Sequence, residues 1–81
     1  MFAYEALREY LRSCGEDELI LRFDEIERII APKKLPCSAR NHRAWWSNGS
    51  HSHARAWNGA GYKTCSVDLT GETVVFRRAA G

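Results

Sequence analysis

The sequence predicts a small α+β domain of winged helix-turn-helix-like architecture, with three to four short helices and a small three-stranded antiparallel sheet. Three segments within the first 47 residues have helical periodicity. Two strand-like runs follow at residues 62–78, on either side of a Thr-Gly-Glu turn. Because an isolated hairpin is marginally stable in water, a third strand-like run at residues 18–23 is expected to complete the sheet. The 81 residues, 44% of them hydrophobic, suffice for a single domain over residues 1–81.

The first half of the chain predicts two helices with a strand between them. Leucines recur on one face of an amphipathic helix over residues 4–13. Residues 18–23 alternate in the way a half-buried strand does. In the second helix, which Pro32 ends, Asp24 is the expected N-cap and Glu27 completes a capping box.

A third helix is predicted over residues 38–47, after a tight turn that contains Lys33 and Lys34. The side chains on its inward face are Leu35, Ala39, His42 and Trp46. The side chains that point away from this face include Arg40, Asn41 and Arg43. In winged-helix proteins the helix after the tight turn reads DNA, so the helix over 38–47 is the expected recognition helix.

The end of the chain predicts a fourth short helix and a β-hairpin. The helix spans residues 53–58, with Trp57 directed inward. The hairpin spans residues 62–78, turns at residues 70–72 and is the expected wing. Asn48 is expected to cap the end of the third helix or to hold the Asn-Gly-Ser turn.

The charges divide sharply along the chain. Residues 1–31 carry four basic and eight acidic side chains, a net charge of −4. Residues 32–81 carry eight basic and two acidic side chains, a net charge of +6, and the two halves together give the net +2. Such asymmetry indicates that the second half faces a polyanion, or that two differently charged faces keep a small protein in solution.

Nucleic acid, and double-stranded DNA above all, is the expected partner of the basic half. Arginine reads guanine and asparagine reads adenine in the major groove, whereas turn lysines and a hairpin tip at Gly71 suit phosphates. Trp45, at the border of the third helix, is suited to stack on a base. The residues predicted to contact nucleic acid are Lys33, Lys34, Ser38, Arg40, Asn41, Arg43, Trp45, Arg55, Lys63 and Arg77.

Other interpretations of the same residues stay open. One is a protein-interaction module, such as a small phage or bacterial defence-related factor that docks on a partner protein through the Trp45 region or the acidic first helix. Another is a plain dimerisation domain. In a third, the cations form a solvated face with internal ion pairs to Glu25 or Glu27, and both tryptophans pack against Trp57 and the hairpin.

Several functional classes lack support in the sequence. The three cysteines are widely spaced without a CxxC motif, so neither a disulfide framework nor a metal site is expected, and no cofactor is implied. No nucleophile motif or phosphate-binding glycine loop indicates an enzyme. No signal-peptide pattern and no bilayer-length apolar run occur, so we expect a cytoplasmic protein without a membrane partner.

Several segments resemble an uncharacterised family of small bacterial and phage domains. The resemblance rests mainly on an LPxSAR…WWxN motif, present as Leu35-Pro36-Cys37-Ser38-Ala39-Arg40 and Trp45-Trp46-Ser47-Asn48. It extends over about the whole chain after residue 4. It implies one domain and brings no established activity with it.

Overall fold

The computed structural model describes residues 4–49 and 52–79. In these ranges no helix has both the length and the apolar character needed to cross a membrane. Within the described residues, two 3₁₀ segments lie between the third and the fourth helix. The first of them, Arg43–Trp46, is here called the tryptophan turn. The elements in chain order are α1 (Glu5–Cys14), β1 (Glu18–Arg22), α2 (Phe23–Ile30), α3 (Cys37–Asn41), the tryptophan turn (Arg43–Trp46), the second 3₁₀ segment (Ser52–Ala54), α4 (Arg55–Asn58), β2 (Tyr62–Asp68) and β3 (Thr73–Arg78).

The three strands form one antiparallel sheet in the order β1-β3-β2, so the last strand lies in the middle. Its register runs from Glu18 opposite Arg77 to Arg22 opposite Thr73 on one side. On the other side β2 pairs with β3 around a bulge at Cys65. Four helices with this sheet confirm the predicted α+β, winged-helix-like fold.

The hydrophobic core lies between the helices and the inner face of the sheet, and aromatic rings run through its centre. The ring of Trp46 stacks on Phe23 at a centroid distance of 5.4 Å and on Trp57 at 5.7 Å. Trp57 contacts Phe76 of β3, also at 5.7 Å. Large aromatic side chains bury 150–250 Å² each, so this chain of rings dominates the core. The other large, fully buried side chains are Tyr62, Leu7, Leu11, Ile26 and Val74.

The prediction of one continuous helix over residues 38–47 is wrong. Helix α3 ends at Asn41, and His42 has the extended backbone angles φ −131° and ψ 119° before the tryptophan turn begins. The indole N–H of Trp46 donates to the carbonyl of Ala39 at 2.7 Å. In an uninterrupted helix that carbonyl would accept from Arg43, four residues on. The buried indole therefore replaces a helical hydrogen bond, and the helix breaks.

The same break corrects the predicted inward face of this segment. Leu35, Ala39 and Trp46 are buried as expected, but His42 is exposed. Because His42 lies at the break, its side chain leaves the helical periodicity that would have directed it inward.

The predicted N-cap of the second helix is also wrong. Helix α2 begins at Phe23, one residue before Asp24, and the backbone N–H of Arg22 donates to Glu25 at 3.0 Å. Glu27, the expected capping partner, instead accepts a hydrogen bond from the Leu35 backbone N–H at 3.0 Å. Strand β1 runs directly into α2, so the N-cap is Arg22, two residues earlier than the sequence pattern indicates.

The fourth helix and the hairpin occur where they are predicted, with one local difference. Ala54 and Trp57 are buried as expected. Strand β2 is interrupted at Cys65, which is exposed in the bulge between Thr64 and Ser66.

Asn48 pairs with the free edge of β2 and does not cap a helix. Its side-chain carbonyl accepts from the Thr64 N–H at 2.8 Å, and its amide donates to the Thr64 carbonyl at 3.0 Å. The side chain thus makes the two hydrogen bonds that a neighbouring strand would make.

Replacement of the central indole tests its structural role. We expect Trp46→Phe to lower the free energy of unfolding by about 2 kcal/mol, since the Ala39 carbonyl loses its donor and a cavity forms. Trp45→Phe, the matched control on a half-buried neighbour, is expected to cost about 1 kcal/mol or less. Urea unfolding followed by far-ultraviolet circular dichroism measures both, and equal losses would contradict this account.

Candidate nucleic-acid interface

An exposed segment joins α2 to the tryptophan turn and carries half of the residues predicted to contact nucleic acid. Its interior is anchored by Leu35 and Ala39, which are buried, and by Arg40. The remaining predicted side chains face solvent because the short helix α3 buries only one position. These exposed residues are Lys33, Lys34, Ser38 and Asn41, and Arg43, the first residue of the tryptophan turn, is exposed as well.

A groove of about 320 Å³ separates the tryptophan turn from strand β2. Arg43 lines it, together with the hydroxyl-bearing side chains of Ser47 and Ser66. The Thr64 hydroxyl also lines it but donates to the Trp46 carbonyl. Lys63, exposed, precedes Thr64 on the same strand. A guanidinium and free hydroxyls along one groove form a set of donors that suits an anion.

A second hollow, of about 480 Å³, lies where α2 ends. Lys33 and Lys34 line it with Arg28, a cation that the sequence interpretation did not include. Two carboxylates, Asp24 and Glu27, also line it. Glu27 is neutralised by an ion pair with an arginine, so the cations outnumber the uncompensated acids here.

Arg40 is held inside the protein by two carboxylates. Its guanidinium lies 2.9 Å from a carboxylate oxygen of Glu27 and 2.8 Å from one of Glu72, and it lies over the ring of Phe23. Its side chain is 31% exposed. The hydrogen bond to Glu27 raises the pKa of Arg40, and the same bond lowers the pKa of Glu27. Arg40 joins α3 to α2 and to the hairpin. Two nitrogens of its guanidinium are already bound to the carboxylates of Glu27 and Glu72.

The remaining predicted cations divide into paired and unpaired ones. Arg77 lies 2.7 Å from Glu18 across the sheet, and this hydrogen bond raises the pKa of Arg77. Lys63, directly opposite Arg77 in the register, makes no ion pair within the described residues, and neither does Arg55 on α4. Sequence reasoning had no means to separate these groups, because the acids lie far away in the chain.

Trp45 belongs to an aromatic cluster at the edge of the core. Its ring stacks on His53 at a centroid distance of 3.9 Å and meets Tyr4 edge-on at 5.9 Å. The centroid of Trp57 lies 6.2 Å away. Nε2 of His53 lies 2.6 Å from the Trp45 carbonyl oxygen. One face of the indole is thus already covered by the protein, as in the interpretation that packs both tryptophans against Trp57.

The hairpin tip carries acidic groups at the place where phosphate contacts are expected. The backbone N–H of Gly71 donates to Asp68 at 2.9 Å, so this donor is already used. Glu72 has a left-handed backbone with φ 55° and its carboxylate is bound to Arg40. Lys63, the hairpin cation that makes no ion pair within the described residues, lies on strand β2 and not at the tip.

No trio of histidine, cysteine, aspartate or glutamate side chains within residues 4–49 and 52–79 is arranged to hold a metal ion. The three cysteines are free thiols.

Comparison with protein families identifies the group to which this arrangement belongs. The family model described as Domain of unknown function (DUF7662) matches residues 4–80. The chain belongs to this family. The expected membership of an uncharacterised small-domain family is thereby confirmed. A bacterial or phage origin stays a prediction. No curated protein and no solved structure matches the DUF7662 chain.

The Arg40 cluster predicts a pH-dependent stability. Glu27 has a lowered pKa in the folded state, so its interaction with Arg40 is fully stabilising above the ordinary value near 4.5 and is lost as the pH falls through the folded value. At pH 7 we expect Arg40→Gln to lower the free energy of unfolding by about 1–2 kcal/mol. As the pH falls through the lowered pKa of Glu27 and its carboxylate becomes protonated, the difference from wild type narrows.

Urea titrations at neutral and acidic pH measure this difference. Arg43→Gln is the matched control, since Arg43 makes no ion pair within the described residues and is expected to change stability little at either pH. A penalty for Arg40→Gln that is independent of pH would show that the ion pairs do not carry its contribution.

Proposed function

We propose that this domain binds nucleic acid, with double-stranded DNA as its ligand, through the exposed cations of its second half. One observation carries the proposal. Five cations of that half are exposed and have no carboxylate partner among the described residues, whereas its other cations are ion-paired. Unpaired cations can replace the counterions of a phosphate backbone without first breaking an internal ion pair. The five are Lys33, Lys34, Arg43, Arg55 and Lys63.

The groove between the tryptophan turn and β2 supplies the geometry for a phosphate contact. Arg43 provides a charged donor, and Ser47 and Ser66 provide neutral ones on the two walls. Hydroxyls and cations of this kind make most of the hydrogen bonds between proteins and the sugar-phosphate backbone. Lys63 extends the positive charge along the strand. These contacts fix the position of a duplex without reading its bases.

The break at His42 determines the type of recognition that we propose. Helix α3 has five residues, so at 1.5 Å per residue it is about 7.5 Å long. A helix this short presents few side chains to base edges, and only Ser38 and Asn41 are exposed polar candidates on it. We therefore expect backbone contacts to supply most of the affinity and sequence preference to be weak.

Docking of a partner protein is a second candidate, supported by the aromatic cluster. Trp45 remains partly exposed even though His53 and Tyr4 contact it. Tryptophan is enriched at protein interfaces. Here Trp45 meets the ring of Tyr4, and the ammonium group of Lys33 lies 5.7 Å from the centre of that ring. Under this alternative the domain does not bind duplex DNA even at low salt.

A fluorescence-anisotropy titration with duplex DNA over a salt series tests the first proposal. If about four phosphates are contacted, affinity falls about a hundredfold between 50 and 200 mM salt. Arg43→Ala and Lys63→Ala each remove one contact, so each reduces the slope of log K against log salt by about 0.9. Scrambled duplexes of equal length are expected to bind with similar affinity.

Arg77→Ala is the matched control. Arg77 lies opposite Lys63 in the sheet and carries the same charge, but its guanidinium is already paired with Glu18. The variant is expected to leave the salt slope unchanged. No binding at low salt would overturn the proposed function. Equal changes in slope for Arg77→Ala and Lys63→Ala would show that bulk charge, and not the proposed surface, is responsible.

A further inference from the structure

The two edges of the sheet differ in how their backbone groups are satisfied. At the β2 edge, Asn48 occupies both backbone groups of Thr64, and a bulge at Cys65 interrupts the strand. These are devices by which proteins protect sheet edges from further pairing. Strand β1, at the opposite edge, pairs with β3 residue for residue and contains no bulge.

The backbone direction along β1 follows from the bonds at its two ends. The Arg78 N–H donates to the Asp17 carbonyl, and the Phe23 N–H donates to the Glu72 carbonyl. Residues 17 and 23 thus face β3, and by the alternation of an antiparallel pair so do residues 19 and 21. The backbone groups of residues 18 and 20 therefore point to the free edge. At residue 22 the N–H is held by Glu25, and the carbonyl belongs to the first turn of α2.

A large apolar side chain is exposed on this edge strand. Ile20, 63% exposed, lies at its centre on the outer face of the sheet. Tyr10 of α1, 39% exposed, is the other exposed large hydrophobic side chain among the described residues. Burial raises the pKa of Tyr10, and the nearby Cys14 and then Glu25 add to the rise.

The sequence of β1 is complementary to itself in charge. It reads Glu-Leu-Ile-Leu-Arg, with Ile20 in the middle. If two copies pair antiparallel about Ile20, Glu18 of each copy lies directly opposite Arg22 of the other, on the same face of the sheet. Arg22 makes no ion pair within the described residues, and Glu18 pairs only with Arg77. Directly opposite unlike charges stabilise strand pairs, whereas like charges destabilise them.

We propose that the β1 edge binds a second copy of this chain, so that two domains form a dimer with one continuous sheet. The pairing gives two hydrogen bonds between the Ile20 residues. The Arg22 carbonyl stays in the first turn of α2, so the ends of the pairing are held by the opposite charges of Glu18 and Arg22. The Arg22 N–H remains bound to Glu25. The two Ile20 side chains meet on the outer face. This interface goes beyond nucleic-acid binding and does not depend on it.

Sedimentation equilibrium of the full chain, from micromolar to millimolar concentration, tests the dimer. Wild type is expected to pass from one to two times its mass of 9.2 kDa. Ile20→Lys, Arg22→Glu and Glu18→Arg are each expected to raise the dissociation constant about tenfold or more. Thr70→Lys is the matched control, because it adds a charge at an exposed position of the hairpin turn, outside β1, and leaves the dimer intact.

Mixing two charge variants separates the proposed pairing from a loss of folding. Arg22→Glu and Glu18→Arg chains are each weakened alone, but in a mixed dimer unlike charges again face each other at both ends. An equimolar mixture is therefore expected to recover a dissociation constant close to that of wild type, with circular dichroism confirming that each variant is folded. A monomeric wild type at all concentrations, a dimer insensitive to Ile20→Lys, or a mixture of folded variants that stays monomeric would overturn the proposal.

Discussion

The burial of the Trp46 indole is the constraint on which the middle of the chain depends. The ring is fully buried between Phe23 and Trp57, and a buried indole N–H requires an acceptor. It donates to the Ala39 carbonyl, and helix α3 ends two residues later at Asn41. The chain then turns toward β2, which places Arg43 on the groove. The principal cationic surface of the domain thus follows from one hydrogen bond inside the core.

The elements that the sequence predicts well are those in which local pattern and tertiary structure agree. The amphipathic first helix, the strand at residues 18–23 and the terminal hairpin each bury the face that their periodicity indicates. The segment over 38–47 fails because its apolar residues satisfy helical spacing equally well whether or not the helix is continuous. The backbone N–H of Arg43 and the indole N–H of Trp46 compete for the Ala39 carbonyl. The indole is held there because Trp46 packs against Phe23 of α2 and Trp57 of α4, and a local sequence pattern does not show this packing.

The candidate surface was harder to predict than the fold, for an electrostatic reason. A net charge of +6 over the second half does not say which cations are available. Three of these cations, one on α3 and two on β3, are bound to acids of the first half. The opposite charges of the two halves therefore hold the halves together, and only the other cations are available to a ligand. These pairs are Arg40 with Glu27, Arg77 with Glu18, and Arg78 with Asp17. Only the three-dimensional arrangement separates such groups from Lys63 or Arg43.

The pairing of Asn48 with Thr64 has a consequence for assembly. A sheet with two open edges can add copies at both sides, and repeated addition produces an open filament. Here the amide of Asn48 holds both backbone groups of Thr64, so further strands meet an occupied edge at β2. A self-complementary contact through the remaining edge uses up that edge in both partners. One asparagine side chain thereby separates a closed, symmetric assembly from fibre growth.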